Sequence, residues 1–211
     1  MRFGFEVLAA ATLLGPPAGW FAWRVTGAYE ADKPRPSAVI MTLAVTAAFS
    51  WAAAVTPPGW VVAASLILAW GLVCLATIDA IAFRLPDSLT FPLIAAGLAG
   101  SFALPDAPVL DHLAGAAGGY AVLAGLAWAW RRWRGEDGIG MGDAKLLAAA
   151  GAWLGWRPLP SVVVIACAAA LVWIVIMALA RRAALRGARV AFGIPLSLAT
   201  WIVWLYGPLI A

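Results

Sequence analysis

Residues 37–78 read SAVIMTLAVTAAFSWAAAVTPPGWVVAASLILAWGLVCLATI and contain no Asp, Glu, Lys, Arg or His. A membrane-crossing helix needs about 20 mostly apolar residues. The stretch is therefore long enough for two, and Pro57-Pro58-Gly59 is the natural turn between them. Further uncharged runs cover Ser88–Pro105, Leu113–Trp130, Pro158–Ala180 and Val190–Ala211. With the N-terminal run (about Phe3–Trp23) and the short Leu146–Trp156 they make eight candidate helices. The short one, even begun at Ala144, has 13 residues and reaches only ~20 Å against a hydrocarbon core of ~30 Å. The expected fold is all-α: one polytopic transmembrane helix bundle of about eight spans, a single domain over residues 1–211.

Composition agrees. Hydrophobic residues make up 64% of the 211 and charged residues 11%, with a mean hydropathy of +0.94; a soluble domain is roughly 45–50% apolar and about a quarter charged. Charge this scarce excludes a water-soluble globule and a disordered chain. Thirteen Trp and 21 Gly fit a membrane protein, where indoles favour the interfaces and small residues let helices approach. The net charge of +4 is read by its placement, and no nucleic-acid partner is expected. Cys74 and Cys167 each lie inside an apolar run and His112 is the only histidine, so no metal site is expected. Arg2 and the apolar stretch after it resemble a signal peptide. However, Gly15-Pro16-Pro17 interrupts the run, and Trp20, Phe21 and Trp23 stand where a cleavage site needs small residues. The segment is read as a retained first span.

Basic residues set the orientation. With the N-terminus outside, the inner side carries Arg24, Lys33, Arg35, Arg84, Arg131, Arg132, Arg134, Lys145, Arg181, Arg182, Arg186 and Arg189, leaving only Arg2 and Arg157 outside. That bias requires an even number of spans and places both termini on the non-cytoplasmic side. The longest polar connection is about Arg24–Ser37, so any chemistry takes place in or beside the lipid bilayer.

Of ten acidic residues, Glu30, Asp32, Glu136 and Asp137 fall in inner loops, Asp106 and Asp111 in an outer loop, and Glu6 near an end of the first span. Solvation explains these. Asp79, Asp87 and Asp143 remain. Asp79 continues the run Val73-Cys74-Leu75-Ala76-Thr77-Ile78, where an ionisable group costs at least ~2.5 kcal/mol and is a functional candidate by default. The bland alternative is a helix-end carboxylate that reaches water or pairs with Arg84. Asp143 closes Gly138-Ile139-Gly140-Met141-Gly142-Asp143. Alternate glycines imply extended or turning backbone with little bulk, tolerated at membrane depth only where protein or water satisfies it. Its bland alternative is an N-cap on the next helix.

The helix bearing Asp79 runs inward and the one after Asp143 runs outward, so both carboxylates fall near the inner ends of their helices. Two carboxylates in one site cannot both ionise cheaply and hold a proton between them. One is then a general base toward water while its protonated partner polarises a carbonyl, as in soluble aspartic proteases, with no cofactor required.

The block Thr77-Ile78-Asp79 followed by Leu85-Pro86-Asp87-Ser88-Leu89-Thr90-Phe91-Pro92 resembles the first signature of bacterial type IV prepilin peptidases. Gly140-Met141-Gly142-Asp143-Ala144-Lys145-Leu146-Leu147-Ala148-Ala149, with Gly151-Ala152-Trp153-Leu154-Gly155-Trp156, resembles the second, including the Gly-x-Gly-Asp core shared with presenilin-like intramembrane aspartyl proteases. Both blocks lie within residues 77–156, and Ala191-Phe192-Gly193-Ile194-Pro195 is more loosely similar to a motif of the family's last span. The resemblance implies a hydrolase of the bacterial cytoplasmic (inner) membrane, active near the cytoplasmic face. Such an enzyme cleaves the basic leader of type IV prepilin or pseudopilin precursors, for pilus or type II secretion systems, typically after glycine.

Asp79 and Asp143 match the catalytic pair. Gly140, Gly142, Lys145, Pro86 and Asp87 support the motifs, Asp87 as a turn or capping residue. Lys145 either steadies the Asp143 region, faces lipid headgroups or is an ordinary inner basic residue. Larger family members insert a domain with Cys-x-x-Cys motifs between the first two spans and also N-methylate the product, which requires S-adenosylmethionine. Here that connection has no cysteine, and the resemblance implies a short form that cleaves, with methylation left open. Glu30, Asp32, Glu136 and Asp137 are candidates to receive the basic leader. Two other readings are a small proton-coupled transporter using the two acids as a relay, and a catalytically silent assembly subunit.

Overall fold

The computed structural model describes residues 2–29, 34–103, 108–135, 140–181 and 191–209. Glu30, Asp32, Lys33, Asp106, Glu136, Asp137, Gly138, Arg182, Arg186 and Arg189 lie outside the described residues. Those described form eight helices and no strand: α1 (Arg2–Tyr29), α2 (Ala38–Val55), α3 (Trp60–Ala82), α4 (Asp87–Ser101), α5 (Val109–Arg134), α6 (Met141–Leu154), α7 (Leu159–Arg181) and α8 (Gly193–Tyr206). Four stretches are long and apolar enough to cross a membrane: Ala38–Val55, Trp60–Ala82, Val109–Arg134 and Leu159–Leu179. α4, α6 and α8 have 15, 14 and 14 residues and so reach about 21–22 Å, short of a ~30 Å core. The helices form two compact units, Met1–Ala82 and Phe83–Ala211.

In the first unit α1, α2 and α3 pack on one another. α1 runs unbroken through Gly15-Pro16-Pro17 and on to Tyr29, where the sequence suggests an interruption at the prolines and an end at Trp23. Prolines remove backbone donors, but a neighbouring helix compensates for that inside a membrane protein. The neighbour is α2: a Cβ on Gly19 would lie 2.4 Å from Thr42 Cα, and one on Gly15 would lie 2.6 Å from Thr46 Cα. Thr12 and Ser50 hydroxyls meet at 3.0 Å across the same pair, and Trp70 Nε1 on α3 donates to Ala18 O at 3.1 Å. α2 starts at Ser37, whose hydroxyl accepts from Ile40 N at 3.3 Å, and Pro57-Pro58-Gly59 makes the expected turn to α3.

The second unit is built around α6, which packs on α4, α5, α7 and α8. Ala144 and every residue from Leu146 to Trp153 are buried, so this helix is apolar on all sides because it has neighbours on all sides. Its small residues set the closeness of approach. A Cβ on Gly151 would lie 2.1 Å from Gly115 O, and one on Gly119 would lie 2.7 Å from Leu147 O. Trp153 Nε1 donates to Leu93 O (2.8 Å) on α4, and His112 Nδ1–H donates to Ala152 O (3.0 Å) from α5. Trp156 N donates to Asp111 O at 3.1 Å.

Candidate active site

Asp79 stands in the last turn of α3 and is only 5% exposed, beside the fully buried Ile78 and Leu75. The helix stops three residues later for local reasons. Phe83 adopts a left-handed conformation (φ 53°), and Pro86 pushes Leu85 out of the helical region. Pro86 then caps α4: its carbonyl accepts from Leu89 N (3.2 Å), Thr90 N (3.1 Å) and the Thr90 hydroxyl (2.8 Å).

Asp143 is the third residue of α6. The N-cap is Gly140, whose carbonyl accepts from Asp143 N at 3.1 Å. Asp143 is therefore not the cap, which answers one of the two readings left open for it. The glycines serve a purpose the sequence does not reveal. Gly142 lies inside the helix, and a Cβ there would crowd Leu85 Cβ at 3.1 Å and Leu85 N at 3.3 Å. A Cβ on Gly140 would stand 3.3 Å from Asp143 Oδ2. Both positions are kept small for close approach, not for an unusual backbone.

Within the second unit the Leu85–Pro92 part of the first motif block meets the second block. Lys145 Nζ donates to Asp87 Oδ1 as an ion pair and lies 5.6 Å from the centre of the Phe91 ring. Asp87 is the first residue of α4. The sequence reads it as a turn or capping residue; it follows the Pro86 turn directly, and its carboxylate also meets Lys145, a pairing the sequence does not show. Asp79 belongs to the first unit, and Asp143, Lys145, Asp87 and Pro86 to the second. The looser motif around Pro195 opens α8. Among the described residues no three His, Cys, Asp or Glu side chains come together as a metal ion requires.

The depth of Asp143 along the unit follows from helix register. α5 and α6 run antiparallel, with Gly115 against Gly151 and Gly119 against Leu147. A step of four on one helix matches a step of four back on the other. One further step sets Asp143 level with Leu123, about 16 Å along the axis from Arg134 and inside the apolar run Leu113–Trp130.

A profile of the type IV leader peptidase family matches residues 66–175, a range that holds Asp79 and Asp143. The chain is 38% identical over 189 residues to a prepilin leader peptidase/N-methyltransferase of Aeromonas salmonicida, covering 89% of this chain and 64% of that one. Proteins of the same name from Klebsiella pneumoniae and Burkholderia pseudomallei are 42% and 43% identical over 135 and 134 residues. Those matches cover 64% and 62% of this chain, and 59% and 42% of the relatives. The chain thus spans less than two thirds of the length of these relatives. No solved structure matches it. The profile match covers more than half of the 211 residues and contains both acidic blocks whole, and on that footing the chain belongs to the type IV leader peptidase family.

Proposed function

We propose that the protein is a membrane-embedded aspartic endopeptidase that removes the basic leader of type IV prepilin or pseudopilin precursors at the cytoplasmic face of the bacterial inner membrane. The observation that carries the reading is the meeting of the second motif block with the Leu85–Pro92 part of the first: Gly142 seated on Leu85, and Lys145, two residues after Asp143, bonded to Asp87.

In this reading Asp79 and Asp143 hold one proton between them. Asp143 stands in the first turn of α6, where the helix dipole favours an anion, so it serves as the carboxylate and Asp79 as the acid. Water oxygen attacks the scissile carbonyl carbon while Asp143 takes a proton from the water. Asp79 gives its proton to the carbonyl oxygen. Collapse of the tetrahedral intermediate breaks the C–N bond, returns a proton to Asp79 and passes the proton on Asp143 to the departing amine. The substrate's apolar helix packs against the bundle through the small-residue contacts that membrane helices use. Both termini are taken to lie on the non-cytoplasmic side.

The test is co-expression with a type IV pilin precursor, comparing the parent with Asp79→Asn and Asp143→Asn at matched membrane levels. The parent is expected to cleave and each variant to lose cleavage. Full activity in either variant contradicts the two-aspartate mechanism, and an inactive parent contradicts the peptidase reading. The mass of the new pilin N-terminus reports methylation in the same samples.

A further inference from the structure

We infer that Lys145 and Asp87 act as a positioning lock, an ion pair across α4 and α6 that holds the first turn of α6, and with it Asp143, in its working place. The inference rests on the peptidase reading of this site and deepens it. Three observations carry it. The N-cap of α6 is Gly140, which has no side chain to accept from the first backbone N–H groups of the helix. Tertiary contacts fasten this end of the helix: Leu85 against Gly142, and Lys145 to Asp87 past the Phe91 ring.

The second observation is direction. Positions two apart on a helix do not face one another, so Lys145 acts on Asp143 by way of the α6 backbone. The third is level. Lys145 lies farther into α6 than Asp143, level with the apolar run of α5, where a charge persists only when paired. The pair is partly open, with side chains 23% and 55% exposed for Lys145 and Asp87. A purely packing role would have been met by two apolar residues; charges at this level fix one geometry.

The experiment uses the full-length protein in detergent with a purified pilin precursor, and compares Lys145→Met, Asp87→Asn, the double neutral variant, and the exchange Asp87→Lys with Lys145→Asp. Each single variant is expected to lower kcat about tenfold or more with KM changed by less than about threefold, as for a carboxylate displaced by a fraction of an ångström. The double neutral variant removes the unpaired charge and is expected to recover folded yield while kcat stays low. The exchange variant is expected to regain most of kcat. Recovery of parental kcat in the double neutral variant, or a single variant within about twofold of the parent, overturns the lock. Amide hydrogen exchange over residues 141–146 is read on the same proteins. It is expected to speed up about tenfold in Lys145→Met and in the double neutral variant, and unchanged exchange also overturns the lock. That arm does not depend on cleavage, so an inactive parent refutes the peptidase reading while the exchange rates still decide the lock.

Discussion

Gly151→Ala is the substitution whose cost follows most directly from the geometry. The added Cβ would lie 2.1 Å from Gly115 O, 2.2 Å from Gly115 C and 2.7 Å from Ala116 N, all backbone atoms of α5. No rotamer relieves contacts with backbone, so the two helices must part by about 1.3 Å to reach ordinary separation. The hydrogen bonds from His112 Nδ1 to Ala152 O (3.0 Å) and from Trp156 N to Asp111 O (3.1 Å) cross this contact, and a shift of that size breaks both. Each contributes about 0.6–1 kcal/mol, and overpacking alone costs about 1–3 kcal/mol.

The expected loss is therefore about 2–5 kcal/mol, read by reversible unfolding in mixed detergent micelles with intrinsic fluorescence. Gly118→Ala is the matched control. It lies on α5, the other helix of the pair, with nothing within 4 Å of the added atom, and alanine in a helix interior gains up to ~1 kcal/mol over glycine. A Gly151→Ala protein no less stable than Gly118→Ala would refute the close α5–α6 crossing and the register drawn from it.

Two further substitutions test the packing around the site. Trp153→Phe removes the donor to Leu93 O (2.8 Å) while keeping the ring beside Trp204 (centroids 5.5 Å apart); thermal unfolding is expected to show a loss of about 1–2 kcal/mol, against ~3–5 for Trp153→Ala. Phe83 is the one non-glycine residue with positive φ among the described residues, and its ring is 47% exposed. Phe83→Gly is therefore expected to raise stability by about 0.5–1 kcal/mol in the same assay, by relieving left-handed strain at little cost in burial. A less stable Phe83→Gly protein would show that ring contacts outweigh the strain.

The helices were legible because charge-free runs of sufficient length leave few alternatives in a chain this apolar. Pro57-Pro58-Gly59 and Leu85-Pro86 mark helix ends in the sequence as they do in the fold. The prolines of α1 misled because their penalty belongs to an isolated helix, whereas Gly15 and Gly19 bring α2 close enough to hold the segment. Asp79 stands out as a carboxylate in a costly place and Asp143 as the close of a glycine-spaced run, while Asp87 reads as a turn or capping residue. What sequence could not supply was the partner of Asp87, since Lys145 lies 58 residues away and the two meet only because α4 and α6 run side by side. Nor could it separate the reasons for glycine at 140 and 142, which depend on Asp143 Oδ2 and on Leu85.

The shortness of α6 gives the Gly-x-Gly-Asp block its physical sense. α5 has 26 residues and α6 has 14, about 39 and 21 Å. The C-terminal end of α6 is tied to the N-terminal end of α5 through Trp156 N and Asp111 O. Most of the difference in length therefore falls at the end that carries Asp143. Asp143 is at the tip of its own helix and yet level with the middle of its neighbour. A longer α6 with the aspartate in its first turn would carry that carboxylate out toward Arg134; a carboxylate in mid-helix would have no free turn beside it. Starting a helix at depth exposes backbone N–H groups where only protein or water can satisfy them, and glycine at 140 leaves space next to Asp143 Oδ2 for that purpose. On the proposed reading, the same space is where the attacking water and the scissile carbonyl must fit. The peptide joining a charged leader to an apolar helix then has to be drawn below the level of Trp130, so the work of recognition falls on packing of the substrate helix more than on contacts with its leader.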